Sequence, residues 1–281
     1  MTRSVLLITG TSSGIGAATA VAAARAGHSV IATMRDLAKR ASLENAAREA
    51  GVEFDLQQLD VTDPASIEDC FSRIGSEYGR LDAVVNNAGA GHVGTIEEEG
   101  LEDVRDVMEV NFYGVVAVSR AALPLLRASG GRLVTLSSVG GVVGQPFNEA
   151  YCASKFAVEG FMESLTPVAA TVGVRVSVVE PGAVTTEFVA NVDLERSAPA
   201  AGSPYRPAFD AYIARTTAAF SPENAQTAQS VAEVVVRLLS EENPPARVQT
   251  SDSARGFAGV KLADLDGSAV QSITTRWVAR S

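Results

Sequence analysis

Histidine and cysteine are scarce in this 281-residue chain, with two of each. His28 and His92 stand apart, with no cysteine or carboxylate cluster beside them at ligand spacing, so no metal site is expected. Cys70 and Cys152 are too few for a disulfide framework and read as free thiols. Positive charge is also short. A formal net charge of -10 argues against a nucleic-acid partner, which favours a basic stripe. Long apolar runs are missing too. The opening MTRSVLLITG meets a glycine turn before it could form a membrane span or a secretory core, so a soluble cytoplasmic protein is expected. No solenoid repeat stands out. With 46% hydrophobic and 20% charged residues the composition is globular.

What the chain does contain is alternation. Short apolar, β-branched runs fall at 5–9, 29–33, 53–59, 82–86, 132–137, 174–180 and, more weakly, 247–250. Most lack polar alternation, as expected of strands buried on both faces. Helical patterns fall between them, at 14–26, 37–50, 64–78, 101–128, 149–172 and 227–240. This order predicts an α/β fold, a doubly wound parallel sheet of about seven strands with helices on both faces. One domain spanning 1–281 accommodates it. The stretch 183–226 carries no strong core pattern and is punctuated by prolines, which suits a lid or binding segment. After Ser251 only a last helix near 268–280 is expected.

The first strand runs into TGTSSGIG, which places Gly10, Thr11, Ser12, Ser13, Gly14, Ile15 and Gly16 at a strand-to-helix turn. Its G-x-x-x-G-x-G spacing differs from the common dinucleotide fingerprint. The physical task is the same: glycines let backbone approach a pyrophosphate, and the helix N-terminus offers free N–H groups to the anion. The second strand ends VIATMRD. Met34 fills the slot where NAD-binding versions carry an acid, and Arg35 follows. A guanidinium there suits a 2′-phosphate, so NADP(H) is favoured. Asp36 keeps NAD(H) as the alternative. Asp60 and Val61, after the third strand, are placed for an adenine, or else simply lead to a helix cap at Asp63.

The stretch NEAYCASKFAVEG sets Tyr151 and Lys155 four residues apart, on one helix face. A free tyrosine titrates near pH 10. A cation within about 4–6 Å lowers such a pKa by roughly one to three units, and Lys155 is spaced to supply it. Ser138 ends a strand, where a hydroxyl can hold a substrate oxygen; its neighbour Ser137 competes for that role. Asn111 sits inside a helical pattern, where asparagine is unfavourable, which suggests a kink with the amide in use. His92 and the run Glu97–Glu99 read as solvated surface, and Cys152 points off the face of Tyr151.

TGTSSGIG, NNAG at 86–89, Asn111, Ser138, Tyr151-x-x-x-Lys155 and Pro181-Gly182 occur in the order and spacing of the short-chain dehydrogenase/reductase (SDR) family. The chain resembles that family over roughly 3–190. GQPFNEAYCASKFAVEG and ATMRDL most resemble its 17β-hydroxysteroid and retinol dehydrogenase-like branch. The resemblance implies an NAD(P)-dependent oxidoreductase. In it Tyr151 is the acid/base, Lys155 its activator, Ser138 the holder of the substrate oxygen, and Asn111 part of a proton relay through a bound water. Asn87, Ala88 and Gly89 would pass beside the cofactor ribose. Pro181, Gly182, Val184 and Thr186 would face the nicotinamide. The long helices at 101–128 and 149–172 form the dimer interface in the family, so a homodimer or homotetramer is expected.

Phe147, Phe188, Tyr205, Phe209, Tyr212 and Phe220 suit a bulky apolar small-molecule alcohol or ketone, or merely pack the 183–226 segment down. Two other readings remain open at the sequence level: an epimerase or dehydratase that retains its cofactor, and a non-catalytic NADP(H) sensor.

Overall fold

The computed structural model describes residues 3–187, 192 and 194–279. Its strands are β1 (Val5–Ile8), β2 (Ser29–Met34), β3 (Asp55–Gln58), β4 (Ala83–Asn86), β5 (Arg132–Leu136), β6 (Arg175–Glu180), β7 (Val184–Thr185), β8 (Gln226–Thr227) and β9 (Arg247–Gln249). Seven of them form one sheet in the order β3-β2-β1-β4-β5-β6-β9, and every pair is parallel. These are the seven runs expected from the sequence.

Parallel strands need crossovers, and these put helices on both faces. On one face Leu7, Val84, Leu133 and Val178 pack with Ile74, Leu126 and Met162. On the other, Leu6, Ile8, Val85 and Val134 pack with Ala20, Val235 and Leu238. Successive residues of a strand serve opposite cores, which is why these strands show little polar alternation.

The helices are α1 (Gly14–Arg25), α2 (Ala41–Ala50), α3 (Pro64–Glu77), α4 (Leu101–Met108), α5 (Gly114–Ser129), α6 (Glu149–Ala170), α7 (Arg206–Ala219), α8 (Ala228–Ser240), α9 (Asp252–Ala263) and α10 (Ser268–Thr274). The long helix expected over 101–128 is split by a π-helical turn at Glu109–Tyr113. Asn111 lies at its centre, so the kink read from that residue is present. Just beyond it, Gly114 meets Val61 so closely that a Cβ would lie 2.7 Å from Val61 Cγ2. The pattern at 37–50 likewise opens as a separate 3-10 turn, Leu37–Lys39, capped by Asp36.

The 183–226 segment holds a single helical turn at Leu194–Ser197 and the full helix α7, which its weak pattern concealed. Only Phe209 and Tyr212 of α7 are buried, too few to mark a helical stripe. The two ends of the segment are clasped by β7 and β8, where Val184 pairs with Gln226. Helix α9 is likewise unmarked in the sequence pattern. It buries only Ala254 and Ala258, and Ser251 caps it. The final helix is shorter than expected: α10 ends at Thr274 and a 3-10 turn follows at Thr275–Trp277.

The direction of winding reverses at β1, which pairs with β2 on one side and β4 on the other. The crevice beyond the carboxyl ends of β1 and β4 is where such a sheet binds ligands. The residues singled out in the sequence follow β1, β4, β5 and β6, and so converge on that edge.

Candidate active site

The turn after β1 is a backbone cradle. Gly10 has φ +70° and Gly14 φ +58°, in the region that favours glycine. A Cβ on Gly16 would lie 2.3 Å from the Gly10 carbonyl oxygen and 2.4 Å from Asn87 Nδ2. A Cβ on Gly10 would lie 2.8 Å from Ala88 Cα, so the NNAG loop presses on the turn. Asn87 Nδ2 donates to the carbonyls of Thr9 and Gly10, both at 2.9 Å. Thr11 ties the turn to β2, with its hydroxyl donating to Thr33 O at 3.0 Å. Thr11 and the Asn87 amide therefore build the cradle rather than reach into it. Ser13 is the N-cap of α1 but makes no side-chain cap bond, and the first turn carries no acid. Free helical N–H groups with no competing carboxylate fit the diphosphate of a dinucleotide. Thr186 closes over this point, its Cβ 3.4 Å from where a Gly14 Cβ would stand.

At the end of β2 a cavity of about 90 Å³ is lined by Ser12, Met34, Arg35, Asp36 and Lys39. Lys39 is a cation that the sequence reading did not include; its place one turn beyond Arg35 was the available signal. Asp36 accepts from Ala38 N at 2.9 Å, as cap of the turn that carries Lys39. Asp60 is similarly occupied, accepting from the backbone and hydroxyl of Thr62 at 3.0 and 2.8 Å. Asp63 does cap α3. Val61 packs against Gly114, as described above.

Tyr151 and Lys155 share the inner face of α6, with Lys155 Nζ 5.9 Å from the centroid of the Tyr151 ring. Nζ donates to Leu136 O, the last residue of β5, at 3.0 Å. Ser138 follows β5 and hydrogen-bonds the Tyr151 side chain. It also caps the turn Val139–Gly141, its Oγ accepting from Gly140 N at 3.0 Å. Ser137 points elsewhere: its Oγ lies 2.5 Å from where a Gly141 Cβ would stand, beside Glu159. Asn111 is fully buried. Its Oδ1 accepts from Ala90 N at 2.7 Å, and its Nδ2 donates to Ala90 O at 2.9 Å and Ser154 Oγ at 3.1 Å. Gly89 lies between Asn111 and Lys155, since a Cβ there would be 3.2 Å from Asn111 Oδ1 and 3.7 Å from Lys155 Nζ. Val139 N donates to Pro181 O at 2.9 Å and so ties the Pro181-Gly182 turn to the Ser138 loop. Tyr151, Lys155, Ser138, Asn111, the cradle and Pro181 thus meet at one sheet edge.

The electrostatics differ from the expectation that Lys155 depresses Tyr151. Burial pushes the Tyr151 phenol up to about 12, and the hydrogen bond from Ser138 is the opposing influence. Burial pushes Lys155 down to about 8, while Glu159 pulls it back up. The physical reason is desolvation, which disfavours the charged form of each group. The lysine ammonium is also aimed at a carbonyl and lies over the ring.

At the rim of the site Glu97 and Glu98 are exposed as expected, while His92 and Glu99 correct the surface reading. His92 and Glu99 form a half-buried pair at 2.5 Å, with side chains 15% and 10% exposed. Tyr205 donates to Glu97, and Ser203 to Glu98, both at 2.5 Å, joining the start of α7 to the loop before α4. Phe147, with φ +56°, stacks edge-on with Phe209 at 5.3 Å and contacts Tyr212 at 5.7 Å. Asn148 Nδ2 donates to the Tyr212 hydroxyl at 2.5 Å, so α7 is latched to the start of the Tyr151 helix. Phe209 and Tyr212 therefore pack the 183–226 segment down. Phe188 lies outside the described residues. Cys70 and Cys152 are buried free thiols. Among the described residues no helix is long and apolar enough to cross a membrane.

Comparison with known proteins agrees with this arrangement. The model of the short chain dehydrogenase family matches residues 4–197. Retinol dehydrogenase 8 of Bos taurus is 39% identical over 94% of this chain and 86% of its own. Human 17-beta-hydroxysteroid dehydrogenase type 1 is 37% identical over 95% of this chain and 84% of its own. Among solved structures, a short chain dehydrogenase/reductase from Burkholderia phymatum in complex with NAD aligns with a TM-score of 0.80 at 25% identity, covering 94% of both chains. A variant of the actinorhodin polyketide ketoreductase with NADPH aligns with a TM-score of 0.75 at 31% identity, over 88% of this chain and 95% of its own. By its fold, its site and these relatives, the chain belongs to the short-chain dehydrogenase/reductase family of NAD(P)-dependent oxidoreductases.

Proposed function

We propose that the protein transfers a hydride between NADP(H) and a bulky, apolar secondary alcohol or ketone. The observation that carries this reading is the Ser138–Tyr151 hydrogen bond on the face shared with Lys155, beside the glycine cradle. The bound nicotinamide supplies or accepts the hydride. Everything else is the work of the chain. The cradle of Gly10–Gly16 holds the diphosphate, and Ser138 Oγ orients the substrate oxygen. In the reducing direction Tyr151 donates its phenolic proton to the developing alkoxide. A phenol held near 12 keeps that proton at neutral pH. The oxidising direction requires the phenolate. Lys155, as ammonium, and the positive charge of an oxidised nicotinamide both favour that anion. Asn111 fixes Ala90, and with it the NNAG loop beside Lys155.

The NADP preference is supported by Arg35, Lys39 and Ser12 around one cavity, and by the capping role that occupies Asp36. The substrate class is supported by the relatives named retinol dehydrogenase 8 and 17-beta-hydroxysteroid dehydrogenase type 1. The stretch 183–226, clasped at its base by β7 and β8, would be the lid of a single domain. Tyr113, Phe156 and Val168 are exposed on the long helices by 54%, 42% and 64%, which supports self-association through them.

The test is NADPH consumption with a panel of apolar ketones. The expected result is turnover by the wild type, and none by Tyr151→Phe despite retained cofactor binding. Turnover surviving in Tyr151→Phe overturns the mechanism. Cofactor that stays bound but is never consumed points instead to an epimerase or dehydratase.

A further inference from the structure

Helix α6 carries more charge on its inner face than the proposed reaction uses. Tyr151, Lys155 and Glu159 recur at four-residue spacing and so line one face. The Glu159 side chain is only 7% exposed. A buried carboxylate needs a reason, because burial without compensation is costly. Its companions are few. Lys155 precedes it by one turn and Glu163 follows by one turn. Ser137, after β5, lies against it, and Glu180 projects from β6. Arg247, from β9, places Nε 3.5 Å from Glu159 Oε2. The same Arg247 also serves Glu180 Oε1 and Glu163 Oε2, each at 2.9 Å. One guanidinium thus faces three carboxylates, and Lys155, one turn earlier on the helix, is the second cation that acts on Glu159. Lys155 in turn is buried, with Leu136 O as its hydrogen-bond partner, and a carbonyl carries no net charge to offset the ammonium.

We infer that Glu159 is a positioning residue acting through Lys155: its carboxylate, anchored by Arg247, keeps the buried lysine in the ammonium form that favours a Tyr151 phenolate. The inference rests on the role proposed above for Lys155. The two groups influence each other in the expected sense. Glu159 raises Lys155, which burial has pushed down to about 8. Lys155 and Arg247 both lower Glu159, which burial has pushed up to about 7. The charge states of acid and base are therefore tied together near neutral pH. A cavity of about 370 Å³ opens beside Glu159, although its carboxylate oxygens are themselves buried. Lys261 and Asp264 face Glu159 across that cavity.

The chain has only three lysines, Lys39, Lys155 and Lys261, so carbon-13 at lysine Cε yields three resolvable titrations in the full chain. Lys155→Met identifies the signal of interest. In Glu159→Gln the Lys155 midpoint should fall by about one pH unit, a tenfold loss of proton affinity. Lys39 should not move. Glu159→Asp keeps the charge and should restore most of the midpoint. An unmoved Lys155 in the folded Gln variant overturns the inference, as does an Asp variant that titrates like Gln. This measurement needs no substrate, so a wild type without turnover would sink the proposed reaction and still leave Glu159 to be decided here. Where turnover is present, kcat for alcohol oxidation should fall in Glu159→Gln by about twofold at pH 7 and by nearly tenfold at about pH 9, with KM nearly unchanged.

Discussion

Replacing Gly16 with alanine tests the cradle at its tightest point. The new Cβ would stand 2.3 Å from the Gly10 carbonyl oxygen and 2.4 Å from Asn87 Nδ2. The carbonyl is backbone and cannot swing aside, and Asn87 is held by two hydrogen bonds at 2.9 Å. Overpacking of this kind costs about 1–3 kcal/mol. Displacing the Asn87 amide loses about 1 kcal/mol for each of its two bonds. Better helix propensity returns at most about 1 kcal/mol. The net expectation is a loss of about 2–4 kcal/mol, and thermal unfolding should fall by about 5–15 °C. Dinucleotide affinity, read by NADPH fluorescence, should fall at least about tenfold, because the shifted Gly10 carbonyl reshapes the anion site. Gly160→Ala is the control. It lies exposed in α6 with no atom within 4 Å of a new Cβ, so the same change there should stabilise by about 0.5–1 kcal/mol. A Gly16→Ala protein with wild-type unfolding temperature and unchanged NADPH binding would refute the reasoning.

Arg35→Ala should weaken NADPH by about 1.5–3 kcal/mol and leave NADH nearly unchanged, as measured by KM for each cofactor; equal losses would remove Arg35 from the 2′-phosphate site. Glu159 makes stability depend on pH. Its folded pKa, about 7, lies above its ordinary 4.5, so the native state binds the extra proton. That contribution is fully present below the ordinary value and is lost as pH rises towards 7, by up to about 3 kcal/mol. Melting temperatures should fall between those pH values, and Glu159→Gln should flatten that fall. Tyr212→Phe should lower kcat or raise KM by removing the Asn148 latch, with cofactor affinity unchanged; steady-state kinetics beside a cofactor titration would check it.

Most of the seven sheet strands were legible because they are short apolar runs between turn-forming residues, as in AVVN at 83–86, whereas β3 (DLQQ) and β9 (RVQ) carry a weaker signal. The cradle and the Tyr151–Lys155 pair were legible because their geometry is local. Glycine spacing dictates a turn, and a four-residue step on a helix dictates a shared face. Helices α7 and α9 were hidden because they bury two residues each, so periodicity has almost nothing to register.

Contacts between distant segments were decided by the tertiary structure alone. Sequence order could not show Asn148 latched to Tyr212 across 64 positions. It could not show that Arg247 reaches Glu159, since β9 joins the sheet from the far end of the chain. Above all, it showed that Tyr151 and Lys155 share a face but not that Lys155 is buried and Tyr151 partly so. Residue types and spacing determined which groups meet. Burial, a property of the whole packed molecule, shifted both groups towards their neutral forms, and it moved the tyrosine opposite to the direction that spacing alone implied.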